Sequence, residues 1–141
     1  MGQALIIYSP ALSGGAKDVA TKIGYNLQDK GYNVVLAGIK SSAAADISGY
    51  DLIIVGGPIY ADTPAKTVQD YLANLSPTGN QKIGVFGYGT ISVDNSDYSA
   101  VLKQVANLSE DNSLTVNAVV KVASDGDVDA QCQDFINRLT A

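Results

Sequence analysis

The sequence predicts a doubly wound α/β domain: a five-stranded parallel sheet of strand order 2-1-3-4-5, with helices on both faces. Three observations carry this expectation. Short apolar runs rich in β-formers alternate with amphipathic segments along the whole chain, and strict alternation of that kind implies right-handed crossovers and a parallel sheet. Two of the runs, at residues 4–8 and 52–55, are apolar without period-two alternation, as strands covered on both faces must be. The second crossover is short, which fits five strands better than the larger six-stranded dinucleotide-binding sheet. With 141 residues, 46% of them hydrophobic, the chain is large enough to bury about two-thirds of its unfolded surface. Residues 1–141 are expected to form a single domain.

Each element has its own signal. Ala4-Leu5-Ile6-Ile7-Tyr8 reads as the first strand. Val19, Ala20, Ile23 and Leu27 then recur at helical spacing, and Lys30-Gly31 supplies a cation and a glycine stop. Val34-Val35-Leu36-Ala37 is a second strand, and residues 41–47 have room only for a short helix or turn. Leu52-Ile53-Ile54-Val55 is a third, ended by Gly56-Gly57-Pro58. Thr63-Pro64 has the form of an N-cap followed by proline at the first helical position, with Val68, Tyr71, Leu72 and Leu75 on one apolar face. Ile83-Gly84-Val85-Phe86 makes the fourth strand, and Tyr98, Val101, Leu102, Val105 and Leu108 mark the next helix. The β-branched run at 115–122 is the fifth strand, and Val128, Cys132, Phe135, Ile136 and Leu139 form the closing helix. Five strands thus alternate with five helical segments.

Composition removes several classes of function. No apolar run approaches the ~20 residues that cross a bilayer, and no basic segment precedes the first strand, so a cytoplasmic protein without membrane partners is expected. Cys132 is the only cysteine and there is no histidine. That excludes an intramolecular disulfide and histidine-dependent catalysis, and it deprives zinc, haem and triad chemistry of their commonest participant. Nine basic against 14 acidic residues give a net charge of −5, with no Lys/Arg cluster to follow a phosphodiester backbone; nucleic acid is not an expected partner. An acidic surface serves either solubility or long-range attraction to a basic protein. Cys132 lies on an apolar helical stripe and reads as core. Asp125, Asp127 and Asp129 lack the glycine and distal glutamate of a calcium loop and read as helix-capping residues, as does the run Asp94-Asn95-Ser96-Asp97.

In a 2-1-3-4-5 sheet, ligands bind beyond the carboxyl ends of strands one, three and four, here residues 9–16, 56–63 and 87–95. The first loop, Ser9-Pro10-Ala11-Leu12-Ser13-Gly14-Gly15-Ala16, turns from a buried strand into a helix. The N–H groups and positive dipole end of that helix face one small volume, which suits a phosphate. Gly14 and Gly15 permit close approach, Ser9 and Ser13 offer hydroxyls, and Lys17 adds a positive charge. An ordinary glycine-rich turn capped by Ser13 is the alternative. Neither the P-loop nor the dinucleotide glycine spacing is present, so a mononucleotide or lone phosphate ester is the expected ligand class. A phosphoacceptor receiver domain is rejected, because Tyr8-Ser9 and Gly56-Gly57 stand where its acidic residues belong.

Through IIYSPALSGGAKDVA, YDLIIVGGPIYADTPAKTVQDYL and VFGYGT the chain resembles the flavodoxin family over essentially its whole length. The resemblance implies that Ser9, Ala11, Leu12, Ser13, Gly14, Gly15 and Ala16 face the phosphate of FMN. It implies that Pro58, Ile59, Tyr60 and Ala61, and Gly87, Tyr88, Gly89 and Thr90, form the two loops flanking the isoalloxazine. Tyr60 and Tyr88 are the candidate ring partners; for each, the alternative is an exposed loop tyrosine with its hydroxyl in water. The first loop departs from the family pattern Ser/Thr-x-Thr-Gly-x-Thr: it is one residue longer, Ala16 replaces the last hydroxyl residue, and Pro10 has no N–H. Two lost hydrogen bonds to phosphate would weaken binding by about a hundredfold or more. The chain also has no tryptophan.

The leading expectation is a short-chain flavodoxin that binds FMN noncovalently and shuttles electrons between redox partner proteins with basic docking surfaces. It is a carrier in which no side chain acts as acid or base. A flavin-dependent NAD(P)H:quinone-type reductase is the enzyme alternative. A flavodoxin-like binding or regulatory module that has lost FMN is the third reading, motivated by Pro10 and Ala16.

Overall fold

The computed structural model describes residues 2–10, 14–60, 63–89, 97–109 and 114–141. Its strands in chain order are β1 (Gln3–Tyr8), β2 (Asn33–Gly38), β3 (Leu52–Tyr60), β4 (Thr63–Pro64), β5 (Lys82–Gly89) and β6 (Ala118–Ala123). The helices are α1 (Gly15–Asp29), α2 (Lys66–Ala73), α3 (Tyr98–Ala106) and α4 (Val128–Leu139), with a 3-10 turn at Ser42–Ala44 between β2 and β3. The parallel strands lie in the order β2-β1-β3-β5-β6, and β4 pairs antiparallel with the end of β3. Leaving out β4, this is the doubly wound 2-1-3-4-5 sheet.

Period-two alternation sends successive side chains of each strand to opposite faces, and both faces are apolar. On one, Ala4, Ile6, Ile54, Phe86 and Val120 pack with Val19, Ile23 and Leu27 of α1 and with Phe135 and Ile136 of α4. On the other, Leu5, Ile7, Ile53, Val55, Val85 and Val119 pack with Val68 and Leu72 of α2 and with Val101 and Val105 of α3. Each fully buried Ile, Leu or Phe contributes about 1.5–3 kcal/mol relative to exposure. The register is continuous across the centre of the sheet: Ile6 pairs with Leu36 and Ile54, Ile54 with Gly84, and Gly84 with Ala118.

The helix ends follow their local chemistry. Asp97 and Asp127 are the N-caps of α3 and α4, accepting from the N–H groups of Ala100 (3.2 Å) and Ala130 (3.0 Å); Asp94, Asn95 and Ser96 lie outside the described residues. The α1 helix stops where Gly31 takes φ 92°, a conformation that suits glycine, and Gly31 N–H donates to the Gln28 carbonyl.

One expectation is corrected. Thr63 and Pro64 do not open a helix: they pair with Tyr60 and Ile59 as β4, and α2 begins at Lys66 with Ala65 in the capping position. The five helical segments are present among the described residues as four α-helices and one 3-10 turn, the short turn expected at 41–47 being the 3-10 turn, because the second crossover is too short for a full helix. On that side a cleft of about 630 Å3 opens between the turn and α2, lined by residues that include Ile39, Ala44, Thr67 and Tyr71. No helix among the described residues is long and apolar enough to cross a membrane.

Candidate functional site

The carboxyl ends of β1, β3 and β5 lie side by side, because Tyr8 pairs with Gly56 and Pro58 pairs with Tyr88. The chain leaves β1 at Ser9, whose N–H donates to the Gly56 carbonyl at 2.8 Å. Ser9 is buried, and its hydroxyl shares a hydrogen bond of 2.5 Å with Thr67 Oγ1 in the first turn of α2. Ala11, Leu12 and Ser13 lie outside the described residues. Beyond them Gly14 is the N-cap of α1, with φ 74° and no side-chain cap bond. A Cβ built on Gly14 meets nothing within 4 Å among the described residues. The first intrahelical bond runs from Asp18 N–H to the Gly14 carbonyl at 3.1 Å. The N–H groups of Ala16 and Lys17 therefore belong to the turn that precedes the intrahelical ladder. Ala16 is buried and the Lys17 side chain is exposed.

The second loop begins as a hairpin. Tyr60, the last residue of β3, is 60% exposed, and its backbone is fixed by pairing with Thr63. Pro58 is buried and its carbonyl accepts from Ala65 N–H at 3.0 Å. Ile59 reaches across to β5: its Cδ1 lies 2.3 Å from where a Cβ on Gly87 would stand. The second and third strand ends are thereby interlocked, and only glycine fits at 87. Ala61 lies outside the described residues.

At the third strand end, β5 continues through Gly87, Tyr88 and Gly89. Tyr88 is neither a loop residue nor fully exposed: it is half-buried on β5, and its ring rests on Gly15 at the start of α1. Of the two tyrosines, Tyr60 is the one presented to solvent. Thr90 lies outside the described residues.

Two residues at these strand ends were not singled out from the sequence. Thr67, which holds the Ser9 hydroxyl, carries no sequence signal beyond its place in a helix. Lys121, on β6 and only 4% exposed, is visible in the sequence as the one charge inside an otherwise apolar strand run. Its Nζ donates to Gln104 Oε1 of α3 at 3.3 Å. Cys132 lies on α4, buried in the core cluster that includes α1; desolvation, reinforced by Asp129 and opposed by Lys22, pushes its thiol up to about 11.

A doubly wound sheet of this strand order defines an α/β domain of the open-sheet class, in which ligands bind beyond the carboxyl ends of the central strands. The family model described as "Flavodoxin domain" matches residues 5–141, and the chain belongs to the flavodoxin family. Among solved structures it is similar to a short-chain flavodoxin associated with a non-canonical PDU bacterial microcompartment, with a TM-score of 0.67 at 20% identity, covering 99% of this chain and 97% of that one. It is similar to oxidised flavodoxin 2 from Bacillus cereus, with a TM-score of 0.64 at 21% identity over 98% and 97% of the two chains. It is also similar to part of a flavo di-iron protein from Thermotoga maritima, with a TM-score of 0.66 at 19% identity, covering 99% of this chain and 35% of that longer one. These likenesses are likenesses of fold. No curated protein matches the sequence.

Proposed function

We propose that the chain is a short-chain flavodoxin that binds FMN noncovalently and carries electrons between larger redox proteins. The observation that carries this reading is the juxtaposition, on adjacent strand ends, of the α1 start at Gly14, where a Cβ would meet nothing within 4 Å among the described residues, and an exposed aromatic at Tyr60. A phosphate and a flat ring system joined by a flexible chain need that pair of features. The residues fit FMN in kind: a phosphate would be held by Gly14, Gly15 and Ala16 of the α1 start, with Ala11, Leu12 and Ser13 completing the loop and Ser9 anchoring its base. Pro58, Ile59, Tyr60 and Ala61 would form one wall for the ring, and Gly87, Tyr88, Gly89 and Thr90 the other.

When bound, FMN supplies the redox chemistry. The chain's own residues bind and orient. The positive end of α1, with Lys17 beside it, attracts the phosphate dianion. Tyr60 shields one ring face from water, and its stacking favours the electron-poorer oxidised ring, which lowers the potential. No acid or base side chain is required. The net charge of −5 suits partners with basic docking surfaces, by steering at low ionic strength.

The reading is tested by titrating the apoprotein with FMN while following flavin fluorescence, with saturation at one flavin per chain and a Kd in the micromolar range or below as the expected result. Carrier and reductase separate on the loaded protein: a carrier passes electrons from a reductase to an acceptor and does not by itself sustain NAD(P)H oxidation. The alternative module without cofactor is favoured by the contact of the Tyr88 ring with Gly15, and failure of the titration would support it.

A further inference from the structure

Among the described residues Lys121 is the one charged side chain that is buried. It lies on β6 between Val120 and Val122 and pairs in register with Gly87 of β5. Its side chain does not stay over Gly87 but runs along β5 to the carboxyl end. Cε is 3.1 Å and Nζ 3.9 Å from where a Cβ on Gly89, the last residue of β5, would stand. Gln104 of α3 accepts from the ammonium at 3.3 Å. The absence of a side chain at Gly89 is what lets the lysine reach the lip of the third strand end. Burying an ammonium in a strand that otherwise presents Ala and Val is costly relative to an apolar residue of similar size.

We propose that Lys121 raises the reduction potential of the flavin held over these strand ends; this rests on the FMN reading above. Two-electron reduction, with electrons from an external donor and one proton from solvent, leaves one net negative charge on the ring system. A fixed cation in a low-dielectric setting favours the more negative state. Lys121 thereby opposes the lowering by Tyr60 and by the acidic chain as a whole, and it acts through space without touching the reacting atoms. Removing one positive charge shifts the potential in the same direction whatever other groups partner the ammonium.

The test uses the FMN-loaded full chain and dithionite titration against a reference dye. Lys121→Met should bind oxidised FMN as the wild type does while its preference for reduced over oxidised flavin falls about tenfold, a drop of about 30 mV for a two-electron couple. Lys121→Arg, which keeps the charge, should stay within twofold, about 9 mV. Gln104→Glu, which leaves Lys121 intact and sets a carboxylate beside it, should shift the potential in the same direction as Lys121→Met and covers the case in which the latter does not fold. A merely structural lysine would change affinity for both flavin states equally and leave the potential in place. Wild-type potentials in both Lys121→Met and Gln104→Glu would overturn this inference alone, and a wild type that takes up no FMN would overturn it together with the flavodoxin reading.

Discussion

The ring of Tyr88 stands on Gly15. A Cβ on residue 15 would lie 2.3 Å from Cε2 and 2.7 Å from Cδ2 of that ring, so the end of β5 and the first residue of α1 meet with no room for a methyl group. Alanine at an early helical position ordinarily gains about 0.5–1 kcal/mol over glycine. Here Gly15→Ala should instead destabilise by about 1–3 kcal/mol through overpacking. In a Tyr88→Ala background the same change should become neutral or stabilising. Urea midpoints of the four proteins, read as a double-mutant cycle, should give a coupling of about 1 kcal/mol or more.

Tyr60 predicts the opposite pattern. It is 60% exposed, so Tyr60→Ala should change stability by no more than about 0.5 kcal/mol. The loss of stacking, worth about 0.5–1.5 kcal/mol, should weaken FMN binding roughly two- to tenfold. Fluorescence titration beside thermal melting separates the two effects, and a variant that melts early but binds FMN normally would contradict the assignment of Tyr60 to the ring.

Gln81 ties the short crossover to the sheet. Its Nε2 donates to the carbonyls of Ile47 (2.7 Å) and Tyr50 (3.0 Å), while Oε1 accepts from Thr78 N–H (3.0 Å). Gln81→Ala leaves two carbonyls and one N–H without this partner and should cost about 1–3 kcal/mol, measured as a lower urea midpoint at unchanged m-value.

Alkali should unfold the protein partly through Cys132. Burial pushes the folded thiol up to about 11, above the ordinary thiol range. A raised folded pKa means that its stabilisation is fully present below pH 9 and is lost as the pH climbs to about 11. Tyr71, raised by burial with its hydroxyl donating to the Ala44 carbonyl, and Lys22, raised by its hydrogen bond to Asp129, lose stability in the same direction above their ordinary values. Thermal midpoints from pH 8 to 11 should fall less steeply for Cys132→Ala than for the wild type. In the native protein the thiol should react with iodoacetamide at pH 8 only as fast as the fold opens, since the buried side chain is shielded and almost wholly protonated.

The sheet was legible in the sequence because a run such as Leu52-Ile53-Ile54-Val55 permits little besides a strand covered on both faces, and the caps Asp97 and Asp127 were legible because capping is local. Thr63-Pro64 misled for an equally local reason. Its helix-start pattern is genuine, but antiparallel pairing with Ile59 and Tyr60 supplies the backbone with partners before any helix begins, and Ala65 N–H then bonds to the Pro58 carbonyl. Strand β5 runs on through Gly87 and Gly89, poor strand formers by themselves, because β3 and β6 flank Gly87 in register and β6 pairs with Gly89 through Ala123. The tyrosines show where sequence reading stops. Both follow a strand core and both looked alike, yet one is exposed at a hairpin and the other packs on a glycine distant in the chain. That difference depends on which helix covers which strand end. Thr67 and Lys121 were passed over for the same reason, since their partners Ser9 and Gln104 are brought to them only by the fold.

The most direct test of the central claim is the visible absorption spectrum of the purified chain after incubation with FMN and desalting. The account predicts that flavin bands elute with the protein at close to one FMN per chain. A colourless protein from which all added FMN separates would contradict it and leave a flavodoxin fold serving as a binding module.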